Sequence, residues 1–261
     1  MPEACGRLPC AAFELGAPLL VSANALWDAR RGEFRVPAHP GILDCDVALD
    51  SAGFVATVRY GGYRWTVAQY VELAGLFGWS WWAQMDLCCE PQVAGDRATV
   101  DYRVRGTATL LWACRAQVAA WRDAGADWLT DPMPVLQGWR GEDYERSAEL
   151  TAEVLDGAWP DLVGVGSVCR RQLGGEDGLY ALLRHLDAVL PRRVKLHLFG
   201  VKGDAVRELA RWDRVASVDS MAWDFRSRRS ARDAGERNDT TRRIGHLEAW
   251  YRRQLEAVAG G

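Results

Sequence analysis

The sequence has no stretch near the roughly 18 consecutive apolar residues that a membrane-spanning helix requires. Its first residues also lack the basic-then-apolar order of a secretory leader. The expectation is a cytoplasmic protein with no membrane partner. Cysteine is sparse and poorly placed for structural use. The seven residues, at 5, 10, 45, 88, 89, 114 and 169, are odd in number, irregular in spacing and absent from the last third. That pattern excludes a disulfide framework and a two-pair zinc motif, so reduced thiols are expected. Lysine is nearly missing, with only Lys195 and Lys202. No GxGxxG turn follows an early apolar run, no GxxxxGK[ST] loop occurs and no HxH pair occurs, so the common nucleotide-binding and paired-histidine signatures are absent.

What is present is a chain of 261 residues, 49% hydrophobic and 26% charged, long enough for a full core. The formal net charge of −3 hides an asymmetry. Between Arg226 and Arg253 nine arginines stand against four acids, a local charge of +5, so the remainder is acidic. Two readings of this segment stay open: a solvated helix face or a surface that contacts phosphates.

Apolar runs of strand length recur at 18–22, 47–50, 81–86, 134–137, 162–166, 194–200 and 215–219. Stretches of helical periodicity lie between most of them, at 67–77, 108–124, 144–155, 179–190 and 205–212. This is the βαβα rhythm of a parallel sheet. An open doubly wound sheet and a closed (β/α)8 TIM-type barrel both produce it. The chain length suits the barrel as one domain over 1–261, and the missing nucleotide motifs weaken the open sheet. An eighth strand is not evident. The polar stretch 225–239 reads as a loop, and 244–258 as a helix that docks on the barrel, so 225–258 is an Arg-rich loop followed by a C-terminal helix.

The expected strand ends carry an unusual set of residues. Asp50, Asp86 and Asp219 close three runs, Gln137-Gly138 and Gly166-Ser167 close two more, and Gly200 another. In a parallel barrel these ends share one mouth, where active sites of this fold lie. Several carboxylates together suit a reaction at a base or sugar, because one can attack an electron-poor carbon while another moves a proton. A single Asp at such a place equally serves as a helix cap or turn residue.

These residues form a recognisable series. Leu49-Asp50-Ser51-Ala52-Gly53-Phe54 resembles the Asp-Ser-Gly-Gly-Phe motif of the tRNA-guanine transglycosylases, and Met85-Asp86-Leu87-Cys88 resembles their Phe-Asp-Glu-Cys. Leu136-Gln137-Gly138 is similar to their Gln-Gly turn, Val165-Gly166-Ser167-Val168 to their Gly-Gly-Leu turn, and His197-Leu198-Phe199-Gly200-Val201 to their Leu-Met-Gly-Val segment. Val218-Asp219-Ser220 falls where they have Phe-Asp-Cys. The order and spacing of the motifs, over about 18–219, carry the likeness. Two family glycines are replaced, by Ala52 and Ser167. The family's zinc site of three cysteines and a histidine is also missing, because no cysteine follows Cys169 to accompany His246. A short branch with these features, the DpdA-like proteins of DNA-modification systems, resembles this chain most.

The resemblance implies a barrel lacking the zinc subdomain that exchanges guanine in DNA for a 7-deazaguanine, such as the 7-cyano form, without a cofactor or metal. Asp219 would be the nucleophile and Asp50 the general acid and base. Asp86, Gln137, Gly138, Gly166, Ser167, Val168, Phe199 and Gly200 would bind the base. Arg226, Arg228, Arg229, Arg232, Arg242 and Arg243 would meet the nucleic acid, and companion modification proteins are conceivable partners. Trp79, Trp81 and Trp82 read either as core or as a stacking platform, and Cys88 and Cys89 as structural. The alternatives are a tRNA substrate, a non-catalytic nucleic-acid-binding subunit, and a metal-dependent hydrolase built on Asp46, Asp50, Asp86 and His197.

Overall fold

The alternation of short apolar runs and helical stretches gives, in the computed structural model, a mixed α/β fold, and the structure describes residues 7–35, 46–169 and 171–259. The chain opens with α1 (Arg7–Glu14), β1 (Leu19–Ser22), the single-turn α2 (Ala23–Leu26) and an antiparallel pair, β2 (Trp27–Asp28) with β3 (Glu33–Phe34). Then come β4 (Val47–Asp50), α3 (Gly53–Tyr60), α4 (Val67–Gly75) and α5 (Arg97–Asp123). The second half runs β5 (Val135–Leu136), α6 (Gly141–Val154), β6 (Leu162–Val165), α7 (Leu179–Val189), β7 (Lys195–Leu198), α8 (Val206–Leu209), β8 (Val215–Val218), α9 (Ala222–Asp233) and α10 (Thr240–Ala259).

β1 pairs in parallel with β4, placing Ser22 opposite Asp50. Single parallel bridges, Leu49 to Trp82 and Ala83 to Met133, carry the array onward. β5, β6, β7 and β8 then follow as a four-stranded parallel sheet. Seven parallel segments therefore neighbour one another in chain order, without the order reversal of a doubly wound sheet. The expected strand at 81–86 is reduced to two bridging residues, and a side chain supplies part of the missing pairing. Gln84 Oε1 accepts the Val135 N–H at 3.1 Å, while its Nε2 donates to the Thr107 carbonyl at 2.7 Å.

Among the described residues no strand follows β8 and no ladder joins β8 to β1, so neither the eighth strand nor a closed (β/α)8 barrel is seen. Apolar packing joins the two ends of the described chain. Leu247 and Tyr251 of α10 pack with Leu8 and Ala12 of α1, in a cluster that includes Leu19 of β1 and Trp223 of α9. One expectation requires correction: the Arg-rich segment, expected as a loop over 225–239, is helical as far as Asp233. Its buried face consists of Asp224, Ser227 and Ala231, at helical spacing but not apolar, which is why hydrophobic periodicity misses it. Ion pairs one turn apart, Arg228 to Asp224 at 2.5 Å and Arg229 to Asp233 at 3.8 Å, favour the helix. Only 234–239 remains outside α9 and α10.

Helix starts follow from local chemistry. Thr66 and Gln69 form a capping box at α4, with Gln69 N–H donating to Thr66 Oγ1 at 3.2 Å and Thr66 N–H to Gln69 Oε1 at 3.0 Å. Asp96 caps α5 by accepting the Thr99 N–H at 2.7 Å, so that helix begins eleven residues before its expected start at 108. Leu111 of α5 packs in the core over β5–β8, while Cys114 and Val118 pack in the core over β4, α3 and α4. One helix thus joins the two halves. Among the described residues no helix is long and apolar enough to cross a membrane.

Candidate active site

All parallel segments point the same way, so the residues that follow each C-terminus gather at one end. Asp50 ends β4, and the chain turns through Ser51 and Ala52 into α3. Ala52 lies in the left-handed region, at φ 67. Gly53 has no space for a side chain, because a Cβ would stand 2.6 Å from both the Asp86 carbonyl oxygen and Asp86 Oδ1. The same division holds at the second glycine motif. Ser167 is left-handed at φ 52, whereas a Cβ on Gly166 would lie 2.1 Å from Gln137 Nε2. In both motifs the glycine kept is the one that a Cβ would obstruct. The glycine replaced is the one where only φ is demanding, at a cost of about 1–2 kcal/mol.

Asp86 is buried and well supplied with donors. Ser51 Oγ donates to its Oδ1 at 2.7 Å, Gln137 Nε2 donates to Oδ2, and the Tyr63 hydroxyl accepts the Asp86 N–H at 3.0 Å while lying 2.9 Å from the Asp86 carbonyl oxygen. Burial pushes its carboxyl above the usual range, and the bonds from Ser51, Gln137 and Tyr63 pull it back. Tyr63 is held by an aromatic group, with Trp65 at 5.4 Å packed in turn against Trp27 and Phe34 of the β2–β3 pair. That small hairpin therefore buttresses the site.

On its other side Gln137 meets Ser167. Ser167 Oγ lies 2.6 Å from Gln137 Oε1 and 3.0 Å from Glu90 Oε2, and it accepts the Cys89 N–H at 2.7 Å. A hydroxyl has one proton. Ser167 therefore donates either to Gln137 Oε1 or to Glu90 Oε2. Burial raises the Glu90 carboxyl above the usual range, against the hydrogen bonds from its own backbone and from Ser167. A chain of hydrogen bonds thus links Glu90, Ser167, Gln137 and Asp86. Buried Arg171 fixes the turn from beneath, donating to the Ser167 carbonyl through Nε at 3.3 Å and through Nη2 at 3.2 Å, and lying 4.1 Å over the Trp139 ring. Gly138 is needed where Asp143 approaches, since its Cβ would stand 2.6 Å from that of Asp143. Val168 contributes its side chain to the core, leaving only backbone to the site.

Asp219 follows β8 and is partly exposed. Its Oδ1 accepts the Gly200 N–H at 2.7 Å, and His197 Nε2 lies 3.5 Å from the same oxygen. Gly200, at φ 72, turns its N–H to this carboxylate. Phe199 occupies space left by Gly164, whose Cβ would lie 2.6 Å from the Phe199 ring. Asp50 feels both other aspartates. Burial first, then repulsion from Asp86 and Asp219, raise its carboxyl to about 7, against the backbone N–H groups of Ala52 and Ser51. The mouth thus holds one carboxyl balanced near neutrality, one bound in a donor network and one partly open to solvent.

Other expected residues divide. Arg226, Arg228, Arg229 and Arg232 are exposed on α9, whereas Arg242 and Arg243 are half-buried and hold α10 to α9 through Ser230 and Asp224, Arg242 also pairing with Glu236 between the helices. Trp79 and Trp82 are buried in the core. Trp81 is half-buried and packs on His197 with ring centroids 4.7 Å apart. The Cys88 thiol is buried and pushed up to about 12, and that of Cys89 is raised further, so both are inert at neutral pH. Cys5 and Cys45 lie outside the described residues. The alternative metal set is not assembled. Asp46 precedes β4, where Ser80 Oγ donates to it, at the opposite end of the strand from Asp50, and among the described residues no three His, Cys, Asp or Glu side chains are gathered for an ion.

Sequence reasoning missed Tyr63, Glu90 and Arg171 and considered His197 only as a metal ligand. The first three stand outside the quoted motifs and reach the site through tertiary packing. Ser51 stood within a motif without a role, and its bond to Asp86 explains its place. No curated protein matches the chain in a direct sequence comparison. The family described as deoxypurine in DNA protein A, DpdA, matches residues 9–259. With nearly the whole chain matched, and with the three aspartates converging on one mouth, the chain belongs to the DpdA family, whose description names a deoxypurine in DNA.

Proposed function

We propose that this protein is a single-domain base-exchange transglycosylase that replaces guanine in DNA with a 7-deazaguanine through a covalent Asp219–nucleotide intermediate. The observation that carries the reading is the shared mouth, where Asp50, raised to about 7, feels the charges of both Asp219 and Asp86, and Asp86 is bonded to Gln137, which meets Ser167. In the first half-reaction Asp219 Oδ2 attacks C1′ as the C1′–N9 bond breaks, and the departing guanine takes a proton from Asp50. In the second, the incoming 7-deazaguanine gives its proton to Asp50 and displaces the carboxylate. Asp86 accepts from the amidine edge of the base and Gln137 meets its carbonyl edge, with the backbone of Gly166, Ser167 and Val168, the Gly138 turn and the Phe199–Gly200 segment enclosing it. No cofactor or metal takes part in these steps. The sequential parallel array is read as a (β/α) barrel whose closing pair is apolar packing between α1 and α10.

The target nucleotide must leave the duplex, or be unpaired, for C1′ to be reached. The face of α9 supports a role in holding it. Met221, Phe225, Arg228, Arg229 and Arg232 recur at helical spacing on one exposed stripe, which starts two residues after Asp219. Apolar side chains next to the mouth suit an unstacked base, and the cations beyond suit the phosphates. Replacing Arg228 and Arg229 together by Glu is expected to weaken DNA binding about tenfold or more at low salt and to flatten its salt dependence, as measured by fluorescence anisotropy. Unchanged affinity and slope would mean a merely solvated face.

The exchange itself is tested with radiolabelled 7-cyano-7-deazaguanine offered with DNA and, separately, with tRNA. Label is expected in DNA with the native chain and not with Asp219→Asn. Label in tRNA alone would overturn the polymer, and label in neither would favour a non-catalytic binding subunit within a companion complex.

A further inference from the structure

Resting on the base-exchange reading, we infer that His197 is a positioning residue for the nucleophile: its Nε2–H holds Asp219 Oδ1, leaves Oδ2 to meet C1′, and steadies the carboxylate charge when the glycosyl ester opens. The geometry behind this is local and complete. His197 is 3% exposed and lies between the rings of Trp81 and Phe199, at centroid distances of 4.7 and 4.6 Å, which limits its rotation. The β7–β8 register sets His197 opposite Ser217. Asp219, two residues beyond Ser217, therefore emerges on the same face. Nδ1 of His197 lies 2.8 Å from Ser217 Oγ. Its Nε2 has no hydrogen-bond partner among the described residues and faces Asp219 Oδ1 at 3.5 Å.

The tautomer follows from these contacts. A bare Nε2 lone pair facing a carboxylate would be repelled, so the favoured arrangement has Ser217 donating to Nδ1 and the proton on Nε2. A separation of 3.5 Å is longer than a formed hydrogen bond, and a buried donor without an acceptor is unfavourable. A small rotation of Asp219 closes the gap, and catalytic contacts commonly tighten in this way when substrate binds. Oδ1 then takes two donors, the Gly200 N–H and the His197 Nε2–H, and the two carboxylate oxygens become unequal. Oδ2, carrying no such bond among the described residues, forms the bond to C1′ as the C1′–N9 bond breaks. When the incoming base displaces Oδ2, the electron pair returns to the carboxylate, and the preorganised Nε2–H shares the charge at Oδ1.

The test is single-turnover formation of the covalent adduct on a mixed-sequence, guanine-containing oligonucleotide, single-stranded and duplex, with DNA affinity measured beside it on the full chain. His197→Phe keeps the ring packing and removes the donor, while His197→Gln restores an N–H. Expected is a loss of about 10²-fold in adduct formation for His197→Phe with unchanged DNA affinity, and recovery of about tenfold with His197→Gln. A His197→Phe variant that forms adduct at the native rate, or a His197→Gln variant no faster than His197→Phe, overturns the positioning role and leaves base exchange standing. Absence of any adduct with the native chain overturns the base-exchange reading and this inference with it.

Discussion

Asp219→Asn is expected to form no covalent adduct with guanine-containing DNA and to lose exchange by about 10⁴-fold or more, while binding DNA as the native chain does. A carboxamide is almost the same size as a carboxylate, so packing around the Gly200 N–H survives. The amide oxygen can still accept that bond, whereas the anionic attack on C1′ is gone. Denaturing gel electrophoresis of labelled DNA reads the adduct directly. Exchange persisting in Asp219→Asn would remove this residue as nucleophile, and Asp50 and Asp86 would be the remaining carboxylates to examine.

Asp50→Asn is expected to keep DNA binding, to slow exchange by about 10²–10⁴-fold and to erase its pH dependence near neutrality. With its carboxyl raised from 3.8 to about 7, Asp50 is part acid and part carboxylate at physiological pH. Guanine departure uses the acid, so its rate falls as pH rises above about 7. Entry of the new base uses the carboxylate, so its rate falls as pH drops below about 7, and overall exchange peaks between the two limbs. The variant also separates activity from stability. A raised carboxyl favours the fold at low pH, and that contribution is lost as pH rises through about 7 and a half-buried anion forms beside Asp86 and Asp219. Above neutrality Asp50→Asn should therefore unfold later than the native chain, by about 1–2 kcal/mol or roughly 2–8 °C, with the difference shrinking as pH falls. A pH profile unchanged by the substitution, or a variant less stable at pH above 7, would mean that Asp50 is not the poised group.

Much of the fold was legible because strand and helix periods differ. The runs at 47–50, 162–166 and 215–219 appear as β4, β6 and β8 within a residue, and α7 begins at the expected Leu179. The reading erred where burial is not apolar. α9 hides Asp224, Ser227 and Ala231, and nothing in hydropathy marks that face. It erred again where a side chain replaces backbone pairing, as Gln84 does beside β5. Closure was not legible, since it depends on whether the first and last strands meet, and no local pattern encodes that contact.

By itself the sequence determined the alternation of elements, the strand-end residues Asp50, Asp86, Gln137, Ser167 and Asp219, and the likeness to guanine-exchanging enzymes. Those follow from local spacing, which a linear chain displays in full. Tertiary structure decided what the spacing could not. It set Gly53 against Asp86 and Gly166 against Gln137, drew Glu90 and Tyr63 into one hydrogen-bonded network, turned Arg242 and Arg243 inward and brought His197 to Asp219. The physical reason is that desolvation, steric exclusion and charge repulsion depend on distance in space, and residues such as Glu90 and Ser167, 77 positions apart, meet only when the strands align.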